Sequence, residues 1–248
     1  LIFALVYLYP VAYSAWVSFY EWDLVMPARW VGAANYRALA SAEFWDVVTN
    51  TVKYSVGVVV LSQVFGLALA VLLNERTRVG ALLQASIFSS YVVSWVAVSL
   101  LWIWLLDPQY GLVAWLLRLV GLPAVNWLGD HRLALGSLVL VTVWKSVGYP
   151  MVIYLAGLQA IPGDLYEVAA LDGAGGWQRF PHVTWPLLTP TTLFLLITLT
   201  ITSFQGFDIV KIMTQGGPVA STVIYVYYIY EQAFQYFKLG KASAAVVP

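Results

Sequence analysis

The sequence predicts an all-α fold, a polytopic bundle of membrane-spanning helices, and three observations carry that prediction. Hydrophobic residues make up 61% of the 248 and charged residues only 10%, where a soluble domain carries about 25% charged residues; mean hydropathy is +0.81. Apolar runs of about 20 residues, the length that crosses a bilayer, recur along the chain. These runs are continuous and do not alternate, which argues against a transmembrane β-barrel. Twelve basic and twelve acidic residues cancel, so no charge excess points to a nucleic-acid partner. The absence of cysteine excludes disulfide and thiol chemistry.

Taken in order, residues 1–20 are a partial first span. They are apolar from Leu1 and lack the basic start and small-residue cleavage site of a signal peptide. The second span is predicted near 51–73 and the third within 79–106, a stretch with no Asp, Glu, Lys or Arg. The fourth covers about 134–157, interrupted by Lys145, and the fifth about 185–206, inside a charge-free run from Phe180 to Phe207. A sixth begins near Gly240 and is cut off at Pro248, so the expectation is a six-span core with its first and last spans truncated. Residues 221–237, "STVIYVYYIYEQAFQYF", are short and carry Glu231 and Gln232, which predicts a helix lying at the membrane interface. Residues 1–248 read as one transmembrane domain.

The connections alternate between long segments at 21–50, 107–133 and 207–239 and shorter breaks at 74–79 and 158–184. Arg76, Arg78 and Arg179 lie in the shorter breaks, against Arg29, Arg37, Arg118, Arg132, Lys211 and Lys238 in the longer ones. By the positive-inside rule this count turns the longer segments inward, opposite to the orientation adopted below.

Within the second short break, Pro162 and Gly163 stop the fourth span. Asp164 then stands where a helix cap would, with Glu167 three positions on as in a capping box. "LYEVAAL" is helical by composition, and Gly173 is placed to end it in a left-handed conformation. Capping does not account for Ala169, Ala170 and Ala174, small residues that let another surface approach closely.

The run "LYEVAALDGAGGWQRFPHVTWPLLTP", Leu165 to Pro190, resembles the EAA loop of binding-protein-dependent ABC importer permeases, E-A-A-x-x-D-G-A followed by F-x-x-x-x-x-P. "YPVAYSAWVSFYEWD", "WVGAANYRAL", "FDIVKIMTQGGP" and "YFKLGKASA" resemble further segments of the carbohydrate-type branch, so the likeness covers nearly the whole chain. Val168, where the family usually has alanine, and Pro181, inside a usually continuous short helix, depart from the pattern.

The resemblance implies that 158–184 is a cytoplasmic coupling loop. Glu167, Ala169, Ala170, Asp172, Gly173 and Ala174 would dock on a cytosolic ABC ATPase dimer: the carboxylate meets a donor, the alanines allow close contact and the glycine aims the helix. Pro186 would fix the start of the fifth span. It further implies a second permease subunit, usually a paralogue, an extracytoplasmic solute-binding protein, and a place in a bacterial or archaeal inner membrane. The cargo would be a sugar or a related polyol or glycerol-phosphate solute. Cofactors would be none on this chain, with ATP and magnesium on the partner ATPase. In agreement, the sequence holds no G-x-x-x-x-G-K-[ST], no H-E-x-x-H and no G-x-S-x-G, so catalysis and metal binding are not expected of it.

Lys145 is the one charge well inside a span, and such a charge marks function by default. It can contact solute or a partner subunit, or it can bond helix carbonyls freed near Gly148-Tyr149-Pro150. Tyr91, Trp95, Trp144, Tyr149 and Gln205 are candidates for the solute path, with rings for sugar faces and an amide for hydroxyls; packing between helices is the other use of such rings. An ion-coupled secondary transporter is the alternative class, and the lack of Asp or Glu within the assigned spans counts against it.

Overall fold

The computed structural model describes residues 2–75 and 77–247. Leu1, Pro248 and Arg76, the last with its share of the charge count, lie outside the described residues. The first span is α1 (Tyr9–Val17), preceded by a π turn at Ala4–Leu8. It runs into an antiparallel ribbon, β1 (Tyr20–Glu21) on β2 (Arg29–Trp30), which pairs Tyr20 with Trp30. This small irregularity in a helical chain has no period for sequence reading to detect. A short α2 (Ala34–Leu39) follows.

The second span, α3 (Ala42–Leu72), starts well before the apolar run at 51 because Ser41 caps it, accepting from the Phe44 N–H at 3.4 Å. Its buried face mixes small and hydroxylated residues, Thr51, Ser55, Ser62, Gly66 and Ala70, with Val47, Tyr54, Val58 and Val59, while Val52, Val56, Val60 and Val64 are exposed. Small residues in helix contacts and branched apolar ones on the outer face suit a helix surrounded by lipid.

The third span is not the single helix expected for 79–106. α4 (Arg78–Val92) and α5 (Trp95–Leu105) meet at 101° across Val93 and Ser94. Such a break needs donors for the freed carbonyls at the end of α4. Lys145 supplies one, donating from Nζ to the Tyr91 carbonyl at 2.9 Å. After α6 (Leu112–Leu119), the fourth span also bends, by 48° between α7 (Ala134–Ser146) and α8 (Gly148–Gln159). The two breaks pack together: a Cβ at Gly148 would lie 2.7 Å from the Phe88 Cα, so only glycine permits this approach.

The second short break holds α9 (Gly163–Leu171). A helix then runs from α10 (Gly176–Arg179) through a π turn at Phe180–Thr184 into α11 (Trp185–Ser203), the fifth span. Pro181 is thus accommodated: the wider π turn passes over the N–H that proline lacks, and the helix continues. Past α11 come α12 (Phe207–Met213), α13 (Tyr225–Tyr230) with a π turn at Glu231–Gln235, and α14 (Leu239–Val246), the opening of the sixth span. The segment expected at the interface packs its first half into the core, while Phe234, Tyr236 and Phe237 stay exposed. Tyr227 and Tyr228 are 1% exposed and Gln232 and Ala233 are buried, with α13 packed on α12, α14 and α3. Aromatic-rich composition marks belts and cores alike, which is why the sequence did not separate them.

Candidate functional site

Two regions at opposite ends of α11 draw together the residues singled out by sequence. The first is α9. Asp164 and Glu167 do not build the expected capping box: the helix begins two residues earlier, with Pro162 at the N-cap and no side-chain cap bond. Asp164 therefore sits inside the first turn, where a carboxylate still suits the helix dipole. The other end matches its expectation. Gly173 has φ +82°, its N–H donates to the Ala170 carbonyl at 3.1 Å, and the Ala174 N–H reaches the Ala169 carbonyl at 2.9 Å. That pair of bonds is a Schellman turn.

No residue of α9 is buried. Leu165, Val168 and Leu171, three apart and thus on neighbouring turns, are 41%, 56% and 88% exposed, and Glu167 is exposed beside them. The helix is held from behind. Tyr166 and Thr184 hydroxyls bond at 3.0 Å, tying α9 to the start of α11. Arg179 Nε donates to the Ala174 carbonyl at 2.8 Å, and the Gly175 N–H to Gln178 Oε1 at 3.0 Å. The tethered helix thus presents an exposed apolar face.

The second region is a cavity of about 530 Å³ toward the far end of α11, within the size range of small-molecule sites. Tyr91, Trp95, Tyr149 and Gln205, four of the predicted path residues, line it together. Tyr91 and Tyr149 stack at 5.5 Å between centroids. The facing walls are Tyr54, Thr142, Ser146, Thr198, Thr202, Ser203 and Asp208. None of these was singled out from sequence, although Thr198, Thr202 and Gln205 fall on one face of the fifth span at i, i+4 and i+7. A polar stripe along an otherwise apolar helix is the signal that would have found them.

Lys145 and Trp144 are not part of this lining. Trp144 packs edge-on against Trp102 with centroids 5.4 Å apart. Lys145 is 3% exposed and sits behind the aromatic wall, its Nζ 4.5 Å from the Trp95 ring centroid and 5.6 Å from that of Tyr91. Of the two uses weighed from sequence, bonding carbonyls at a break is the one its geometry serves, with the break being that of α4 and α5. Within the cavity, the Tyr54 hydroxyl bonds Thr142 Oγ1 at 2.9 Å, while Thr142 itself donates to the Leu138 carbonyl.

Comparison with known proteins bears on both regions. Residues 62–247 match the family described as binding-protein-dependent transport system inner membrane component. The chain is 37% identical to the trehalose/maltose transport system permease protein MalF of Thermococcus litoralis over 93% of its own length and 78% of that protein's. It is 34% identical to the sulfoquinovosyl glycerol transport system permease protein SmoG of Agrobacterium fabrum, over 100% of this chain and 81% of that one. Its fold superposes with a TM-score of 0.85 and 25% identity on a chain of a bacterial alginate ABC transporter, solved in complex with alginate pentasaccharide-bound periplasmic protein, covering 99% of this chain and 84% of that one.

Proposed function

This chain belongs to the family of binding-protein-dependent transport system inner membrane components, and from that premise we propose how it works. It is the permease subunit of an ATP-driven importer. It forms part of the path for a sugar or a related polyol or glycerol-phosphate solute and has no catalysis of its own. Drive comes from a separate ATPase dimer, which carries ATP and magnesium, docked through α9 on the cytoplasmic side. A second permease completes the path, and an extracytoplasmic binding protein delivers the solute.

The observation that carries the coupling role is the tethered, outward-facing α9. Leu165, Val168 and Leu171 stay exposed among the described residues, and the Tyr166 to Thr184 bond passes any displacement of α9 to the foot of α11. Thr198 and Thr202 line the cavity about 20–27 Å further along that helix at 1.5 Å per residue. Movement of α9 by an ATPase would therefore reposition the hydroxyl wall relative to the aromatic wall on α4, α5 and α8. Two global states of the transporter, biased by nucleotide, would open the cavity alternately to each side. Among the described residues α7, α8 and α11 contain no carboxylate, and the one on the cavity lining, Asp208, is exposed in the first turn of α12 and lies outside those spans, which counts against the secondary-transporter alternative.

The test is affinity purification of the full-length chain from its native cell in mild detergent, beside a Glu167→Lys, Gly173→Leu double variant. The wild type brings down a P-loop ATPase and a second permease, and the variant loses the ATPase. Retention of the ATPase by the variant, or its absence from the wild type, would remove α9 as the coupling element.

A further inference from the structure

We propose that a glycerophospholipid of one leaflet occupies a fixed site in the groove between α3 and the start of α11, with its phosphate on Arg179. Two hollows of about 880 and 270 Å³ share Val64 and Leu67 and so form one groove. Its walls keep the same order on three elements. Val60 on α3, Tyr154 on α8 and Leu196 on α11 stand at the inner end; Leu72, Leu158 and Phe180 stand toward the mouth. From Val60 to Leu72 the groove runs about 18 Å at 1.5 Å per residue. Half the hydrocarbon core of a bilayer is about 15 Å deep, and half the bilayer with its headgroups about 20–22 Å. The groove therefore has the depth of a single leaflet.

The lining suits an acyl chain better than another helix. Helices meet in lipid through small residues that let backbones approach, and α3 commits Ser62, Gly66 and Ala70 to contacts where they are already buried; a Cβ at Gly66 would lie 2.9 Å from the Pro150 Cβ. Its groove side instead carries Val60, Val64, Leu67 and Leu72. At the inner end the Tyr154 hydroxyl is engaged by Gln63 Oε1 at 3.2 Å and Thr192 Oγ1 at 3.3 Å.

The mouth has the opposite chemistry. Asn74, Trp177 and Arg179 bring N–H groups to it, and Trp177, 96% exposed, has the ring that favours a membrane interface. Arg179 is held in place through its Nε, bonded to the Ala174 carbonyl at 2.8 Å, and among the described residues its guanidinium has no ion pair. Among the described residues no Asp or Glu lines the groove. Glu75 follows Asn74 outside the lining, and Asp172 shares with Arg179 only the separate hollow behind Gly173, unpaired. A phosphodiester supplies the anionic acceptor that such a guanidinium lacks, and the apolar depth below it calls for a phosphate joined to acyl chains. Placing this leaflet on the cytoplasmic side rests on the proposed role of α9; the groove and its chemistry do not.

The experiment places the full-length chain, in its complex, in nanodiscs of a phosphate-free galactolipid that hold a trace of phosphatidylglycerol with a photoactivatable diazirine on one acyl chain. Labelled peptides are mapped by mass spectrometry. Labels should concentrate on Val64, Leu67 and the segment 180–185, several-fold over Leu61 and Phe65, which are exposed at the same depth of α3 outside the lining. Unlabelled phosphatidylglycerol should displace them. Ala68→Trp, which fills the groove, should abolish the enrichment and leave labelling of Leu61 and Phe65 unchanged. Arg179→Gln should lower the enrichment about fivefold through loss of a charge-assisted contact, whereas Arg179→Lys, which also gives up the Ala174 bond but keeps the charge, retains it. Equal labelling of groove and outer face, an enrichment that survives Arg179→Gln, or a partner subunit's peptide found across the groove would each overturn the inference. The label is read on the permease itself, so loss of the ATPase from the α9 variant leaves it in place and the two proposals fail separately.

Discussion

Replacing Gly148 by alanine should loosen the contact that holds the two broken spans together. The added Cβ would lie 2.7 Å from the Phe88 Cα and 2.9 Å from the Ile87 carbonyl oxygen, both backbone atoms that no rotamer change can move aside. Bringing the closer approach to the 3.4 Å where ordinary contact begins requires α4 to retreat by about 0.7 Å in a close-packed interior. That retreat carries the Tyr91 carbonyl away from Lys145 Nζ, now 2.9 Å distant, to roughly 3.5 Å, beyond a good hydrogen bond. Overpacking costs about 1–3 kcal/mol and a hydrogen bond to a charged group is worth about 1.5–3. The two share one displacement and do not add fully, giving about 2–4 kcal/mol. At roughly 2–4 °C per kcal/mol for a chain of this size, the detergent-solubilised protein should melt about 5–15 °C lower. Gly136→Ala is the control: nothing lies within 4 Å of its Cβ position, and alanine gains up to about 1 kcal/mol of helix propensity. Equal melting temperatures for the two variants would refute the packing argument.

Further outcomes follow from other contacts. Gly173→Ala puts a side chain at φ +82°, costing about 1–2 kcal/mol at the Schellman turn; solute-stimulated ATPase activity of the complex should fall while the permease pair stays assembled, as size-exclusion chromatography reports. Tyr166→Phe removes the 3.0 Å bond to Thr184, worth about 1 kcal/mol, and should speed hydrogen exchange across α9 without changing exchange in α11. Burial, and then Glu43, raise the Glu231 pKa above its ordinary 4.5, with Lys211 opposing. A raised carboxyl contributes stability that is full below its unfolded value and lost as pH rises through the folded one. Glu231→Gln should thus flatten the decline in melting temperature as pH rises above about 4.5, and an unchanged profile would exclude Glu231 as its source. Trp95→Ala and Thr202→Val should each raise the KM for uptake several-fold, the first by losing a stacking face and the second an acceptor.

Much of this was legible because a membrane constrains sequence strongly. Long apolar runs located the fourth and fifth spans, and Gly173 marked the end of α9 because a left-handed residue there has few alternatives. The breaks were harder to see. Nothing in "YVVSWVAV" distinguishes the 101° turn at Val93 and Ser94 from straight helix, since its stabilising donor, Lys145, comes from another span. Hydropathy also could not separate the aromatic cluster of α13, buried against α12 and α14, from an interfacial belt. In the cavity, single large aromatics drew attention while the Thr198, Thr202 and Ser203 hydroxyls did not, because a hydroxyl bonded to its own helix is compatible with any environment. Lys145 was conspicuous for its charge, yet it lies behind the lining, against the rings of Trp95 and Tyr91.

The central claim is that α9 is the surface through which another protein drives this one. Residues 1–248 hold no cysteine, and an Ala170→Cys substitution on this exposed helix introduces an addressable thiol there. A short thiol-reactive photo-crosslinker there, activated in native membranes and read by mass spectrometry, should capture an ATP-binding subunit, with a yield that changes when a non-hydrolysable ATP analogue is added. Capture of no ATPase from membranes where the two subunits co-purify would contradict the account.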